Sequence, residues 1–158
     1  MSITLGGTNP AVTFPDGTIQ NTAGAVLQVV NATSTTNNST TGQTYVAAGL
    51  TASITPKFST SKILILVNQN MYNSSNGTEA VLTVYKNGAD LTAGNGFADV
   101  YTGSSDLIAQ APIVYLDSPA TTSATTYAVY MKVRNPSGTI QSCLRGTINT
   151  ITLMEIAG

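Results

Sequence analysis

The 158-residue sequence predicts an all-β protein, an antiparallel jelly-roll-like sandwich of about eight strands, and three observations carry that prediction. The first is SKILILVNQN, residues 61–70, where Ile63, Leu64, Ile65, Leu66 and Val67 form the one five-residue run of large aliphatic side chains. The second is alternation: in TTYAVYMKVR, residues 125–134, Tyr127, Val129, Met131 and Val133 fall on one face of an extended chain, and Thr126, Ala128, Tyr130, Lys132 and Arg134 on the other. The third is punctuation, with PDG at 15–17, NG at 87–88 and NPSG at 135–138 dividing the chain into short segments. No apolar pattern of helical period extends any of these segments.

Taken in order, residues 1–24 read as an arm, because they are rich in Gly and Pro and lack a long apolar segment. Within it Pro15, Asp16 and Gly17 preset a tight turn between residues 12–14 and 18–20, a small hairpin that is marginal by itself and needs a surface to dock on. The sandwich occupies residues 25–158. AVLQVVNAT (25–33) alternates as a strand, and residues 34–42 hold only Ser, Thr, Asn and Gly, a solvated loop. Residues 45–48 and 50–55 give two short strand signals before Pro56 turns the chain into the central run. Asn87 and Gly88, between strand-like flanks, fit a type I′ hairpin, whose two central positions need positive φ. Residues 94–105 read as a loop with a short strand at Val100 and Tyr101. Residues 107–116 form a strand that Pro112, having no N–H to donate, places at an edge or a bulge. Residues 139–144 and 148–156 close the set.

The central run is apolar on both faces. One face is the chain's own core; the other, with no predicted helix to cover it, packs against a second copy of the chain or lies under a loop or arm. Burying two or three such side chains at roughly 1.5–3 kcal/mol each is a large share of the roughly 5–15 kcal/mol that holds a domain together. An obligate oligomer follows as the expectation. Glu155, in the apolar closing strand, needs a partner if buried, with Lys132, Arg134 and Arg145 the candidates, or else lies exposed at a strand end.

Composition narrows the chemistry. Six basic and seven acidic residues leave a formal charge of -1, which offers no attraction to nucleic acid or an anionic membrane. No run approaches the length of a membrane span, and the opening residues show no basic, then apolar, targeting pattern, so synthesis in a cytoplasm is expected. The chain has no His and one Cys, Cys143, which reads as a small buried hydrophobe. Without a histidine base, a paired-carboxylate cleft or a metal-ligand cluster, an enzyme, a metal and a cofactor are not expected. Asp99 and Asp106 read as solvated loop acids rather than a calcium site. Tyr72, Tyr101 and Tyr130 read as core or subunit-interface residues rather than exposed recognition groups.

VTFPDGTIQNTAG, VLQVV, ITPKFSTSKILILVNQN and ITLMEIAG together resemble a family of bacteriophage virion proteins, found in phages of cyanobacteria and other aquatic bacteria. The resemblance covers most of the chain and implies a homotrimer whose β-domain is similar in architecture to tumour necrosis factor and complement C1q heads. One sheet of each subunit would then face the three-fold axis, which implies an interface and core drawn from Ile63, Leu64, Ile65, Leu66, Val67, Leu153, Met154 and Ile156. The PDG hairpin occurs once, with no shaft or repeat array, which points away from a long fibre. The expected role is a capsid decoration, or cement, protein on the virion surface. Its arm would dock on the phage major capsid protein through Ile3, Leu5, Val12, Phe14 and Ile19. The alternative is a receptor-binding tip or short fibre held by tail proteins, whose loops 34–42, 73–77 and 94–105 meet a host surface receptor.

Overall fold

The computed structural model describes residues 11–13, 15–17, 19–21, 25–104, 106–135 and 138–158. β1 (Ala11–Thr13) and β2 (Ile19–Asn21) pair antiparallel with Thr13 opposite Ile19, the hairpin that Pro15, Asp16 and Gly17 foreshadow. The sandwich follows as β3 (Val26–Ser34), β4 (Ser39–Thr40), β5 (Val46–Ile54), β6 (Lys62–Asn73), β7 (Glu79–Lys86), β8 (Ala89–Asp90) and β9 (Ala98–Tyr101). It continues as β10 (Leu107–Asp117), β11 (Thr125–Val133), β12 (Ile140–Ser142) and β13 (Asn149–Ile156), with a single 3-10 turn, Leu144–Gly146, before β13.

Both sheets are antiparallel. In the first, β3, β13, β6 and β10 lie side by side, and β4 and β12 prolong the β3 and β13 columns beyond an excursion at residues 143–148. In the second, β5, β11 and β7 lie side by side, and β8 and β9 share the last column. Numbered along the chain, the eight main strands run 1-8-3-6 in one sheet and 2-7-4-5 in the other, the order of a jelly roll. The central run is β6, hydrogen-bonded on both sides.

The core is the space between the sheets. Ile63, Ile65, Val67 and Met71 of β6 meet Leu50 and Ile54 of β5, Leu82 and Val84 of β7, Tyr127, Val129 and Met131 of β11, and Ile151 and Leu153 of β13. These residues recur at every second position because a strand exposes alternate faces. The Asn87–Gly88 hairpin forms as expected, with φ of 49° and 85°.

Three expectations are corrected. The two short strands at 45–55 are one strand, β5, interrupted by Gly49 at φ 83°, where the register against β11 shifts. A side chain there would also strike Asn38 Nδ2 at 2.7 Å, so glycine bends the strand where a neighbouring loop crosses it. The loop at 34–42 contains β4, which pairs with β12. The strand expected over 139–144 ends at Ser142, because Cys143 and Arg145 adopt positive φ and carry the chain out of the sheet.

The molecule has two unlike ends. At one, the connections after β6, β9 and β11 are tied together: Ser74 N–H donates to Thr139 O at 3.0 Å, and Gly77 N–H to Thr102 O at 2.9 Å. At the other, Ala157 N–H donates to Ala25 O at 2.9 Å beside Lys62, where β3 begins.

Candidate interaction face

The outward face of the first sheet is assembled in rows by strand register. Val29, Met154, Leu64 and Leu116 stand opposite one another across four strands, and the next row is Asn31, Thr152, Leu66 and Val114. Ile156 and Val26 extend the apolar area towards the end where β3 begins. Four columns at roughly 4.8 Å spacing make this patch about 14 Å wide. Val114 is 71% exposed and Val29 56%, while Leu64, Leu66, Met154 and Ile156 are half-buried by one another. Asn31 Nδ2 donates to Thr152 Oγ1 at 2.8 Å, closing the patch on its polar side. Further along β6 the same parity brings an exposed Asn68, a buried Asn70 and a half-buried Tyr72. A contiguous apolar area of this kind is what a docking surface offers.

The residues singled out in the sequence divide cleanly by parity. Ile63, Ile65, Val67 and Leu153 point into the core, whereas Leu64, Leu66, Met154 and Ile156 point outward. Val12 lies on β1 and Ile19 on β2; Ile3, Leu5 and Phe14 lie outside the described residues. Val26, Val29, Val114 and Leu116 were missed, because only strand register shows that they flank Leu64 and Leu66.

Glu155 corrects its expectation. It faces inward and is fully buried, and Lys132, Arg134 and Arg145 are all elsewhere. Its partners are uncharged donors: Gln28 Nε2 reaches Oε2 at 2.6 Å, and the Lys57 N–H reaches Oε1 at 2.6 Å. Burial opposes ionisation, but Ser61, Gln28 and the amides of Lys57 and Phe58 outweigh it and hold the carboxyl below its ordinary 4.5. Two of the expected cations have other roles. Arg134 pairs with Glu79 and Asp99, each at 2.8 Å, and Lys132 Nζ lies 4.4 Å above the Tyr45 ring. The second buried acid, Asp117, accepts from Lys86 Nζ at 3.0 Å and from the Tyr127 hydroxyl at 2.7 Å. Burial, followed by that bond and the charge of Asp117, pushes the Tyr127 phenol up.

Of the two places expected for the tyrosines, the core and a subunit interface, the core holds none of the three. Tyr101 is 61% exposed, and Tyr130 lies on the outer face of the second sheet, its ring stacked on Tyr85 at 4.0 Å. Tyr72 faces outward on the first sheet and donates its hydroxyl to Asp106. Asp99 and Asp106 are thus held by different partners, and no cluster of three metal-ligating side chains occurs among the described residues. Cys143 is buried as expected, with Asn149 Nδ2 donating to its sulfur at 2.7 Å. At the loop end, Tyr72, Asp106, Ile108, Gln141, Leu144 and Arg145 line an open cleft of about 400 Å³.

The fold and this face define a jelly-roll sandwich with one open apolar sheet surface. No protein-family model and no curated protein matches the chain. No helix among the described residues is long and apolar enough to cross a membrane.

Proposed function

We propose that the chain is a structural protein of a bacteriophage virion, a homotrimeric capsid decoration protein. Its subunits meet through the outward face of the first sheet. Its arm, residues 1–24, fastens each subunit to the major capsid protein. The observation that carries this reading is the apolar area around Leu64, Leu66, Val114 and Met154, which lies at the end where the arm joins the sandwich. A second copy covering that area removes it from water. Three arms leaving one trimer turn later contacts with the shell into intramolecular ones, so weak individual contacts add to firm attachment.

A second reading has its own support. Residues 74–78, 102–104 and 138–139 are tied together at the end away from Ala25, the position from which a receptor-binding tip would meet a host surface. The two readings separate on intact particles labelled with an antibody against the purified chain. Label spread over the shell is the expected result, and label confined to the tail overturns decoration in favour of the tip.

A further inference from the structure

The loop-end cleft is a place where the chain spends backbone strain. Asp106 and Arg145 line it, and each is a non-glycine residue held at φ 59°. Left-handed backbone of this kind is disfavoured at a non-glycine residue and is often found at functional positions. The cleft is also remote from the apolar patch. Tyr72 is six residues beyond Leu66, the nearer row of the patch, which is roughly 20 Å along a strand.

Its chemistry is specific. Arg145 is exposed and makes no ion pair or hydrogen bond among the described residues. A guanidinium so placed offers parallel N–H donors to one carboxylate. Asp106 accepts the Tyr72 hydroxyl through Oδ1, and its second oxygen has no partner among the described residues, so it calls for O–H donors. That same bond holds the Tyr72 ring in place beside Ile108 and Leu144, an apolar surface for the C–H face of a sugar ring. Gln141 adds an amide. A phosphate dianion is disfavoured by the carboxylate of Asp106. An extended peptide finds no free main-chain edge on β6 or β12, since both are hydrogen-bonded on either side, and among the described residues lining the cleft only the outer edge of β10, which carries Ile108, is open to one.

We propose that the cleft bounded by Tyr72, Asp106, Gln141 and Arg145 binds a saccharide carrying a carboxylate, a uronic acid unit of an acidic polysaccharide. The carboxylate sits on Arg145, ring hydroxyls donate to Asp106, and the sugar ring packs on Tyr72. This site does not depend on the assembly or on the place of the protein in the particle.

The test titrates the full chain with trigalacturonate and with its methyl ester, followed by calorimetry or saturation-transfer NMR. The acid is expected to bind about tenfold or more tightly than the ester, the loss that one charge-assisted contact brings. Arg145→Asn, which tolerates positive φ and so preserves the turn, is expected to weaken the acid by a similar factor, and Arg145→Lys by less. Tyr72→Ala is expected to weaken acid and ester alike. Light scattering on the same samples reports assembly separately, so a failure of the oligomer is not mistaken for a failure of the site. Equal affinity for acid and ester, wild-type affinity in Arg145→Asn, equal binding of a short peptide with a free C-terminal carboxylate, or no binding of the acid at about 10 mM would overturn the proposal.

Discussion

Glu155 shows how a single residue can fasten three segments of chain. Its carboxylate collects donors from Gln28 on β3 and from the backbone of the 55–61 connection, and Gln28 Nε2 also donates to Thr55 O at 2.7 Å. Replacing it with Gln turns one oxygen into an N–H₂ group that faces another donor, which costs roughly 1–3 kcal/mol. The direction of its pKa shift fixes the pH dependence. A carboxyl held below its unfolded value adds stability that is complete above about pH 4.5 and is lost as pH falls through the folded value. Thermal melts of the wild type and Glu155→Gln should therefore differ at pH 7 and draw together as the pH falls below about 4.5; a gap unchanged by acid would mean that ionisation of Glu155 contributes nothing. Asp90 acts in the same sense. Burial opposes its charge, but bonds from Thr83, from the hydroxyl and amide of Thr92 and from the Gly94 amide prevail and lower its pKa. None of these partners was legible in the sequence, because backbone amides carry no signature and Gln28 lies 127 positions from Glu155.

At the scale of the strand, much was legible. β6, β11 and β13 were readable because alternation and apolar runs survive in a single sequence, and the Asn87–Gly88 turn because two adjacent positive φ angles demand those residues. β5 was split in two because a glycine inside a strand looks the same as a glycine between strands. The parity of β6 now separates two substitutions that the sequence treats alike. Ile65 is fully buried between the sheets, so Ile65→Asp should leave the chain unfolded, with circular dichroism showing no cooperative transition. Leu64 points outward, so Leu64→Asp should cost the isolated subunit little, about 1 kcal/mol or less, while light scattering shows the oligomer lost. A Leu64→Asp protein that remains a trimer would remove the assembly role assigned to this face.

For the whole molecule the separation of ends matters most. Ala25, where the sandwich begins, lies beside Lys62, and the connections after β6, β9 and β11 meet at the far end of the same strands. Removal of residues 1–24 should leave a folded oligomer with unchanged melting temperature that no longer binds shells lacking the protein; retained binding would sink the role given to the arm. The apolar face was half legible. Leu64, Leu66, Met154 and Ile156 stood out as apolar runs, but Val29, Val114 and Leu116 join them only through pairing across three strand boundaries. The cleft was not legible at all, since its lining comes from three strands, the 143–148 excursion and the connection before β10.

Pro112 lies midway along β10, which among the described residues pairs with β6 alone and forms one border of the first sheet. Wherever copies of this chain are crowded, such borders meet at high local concentration, and an unbroken strand would template another in an open-ended ladder. Proline interrupts that template by offering no N–H to either neighbour. Pro112→Thr should therefore preserve the fold yet raise turbidity and thioflavin fluorescence during prolonged incubation of concentrated protein. If the variant remains as clear as the wild type, colloidal stability is secured elsewhere on the surface.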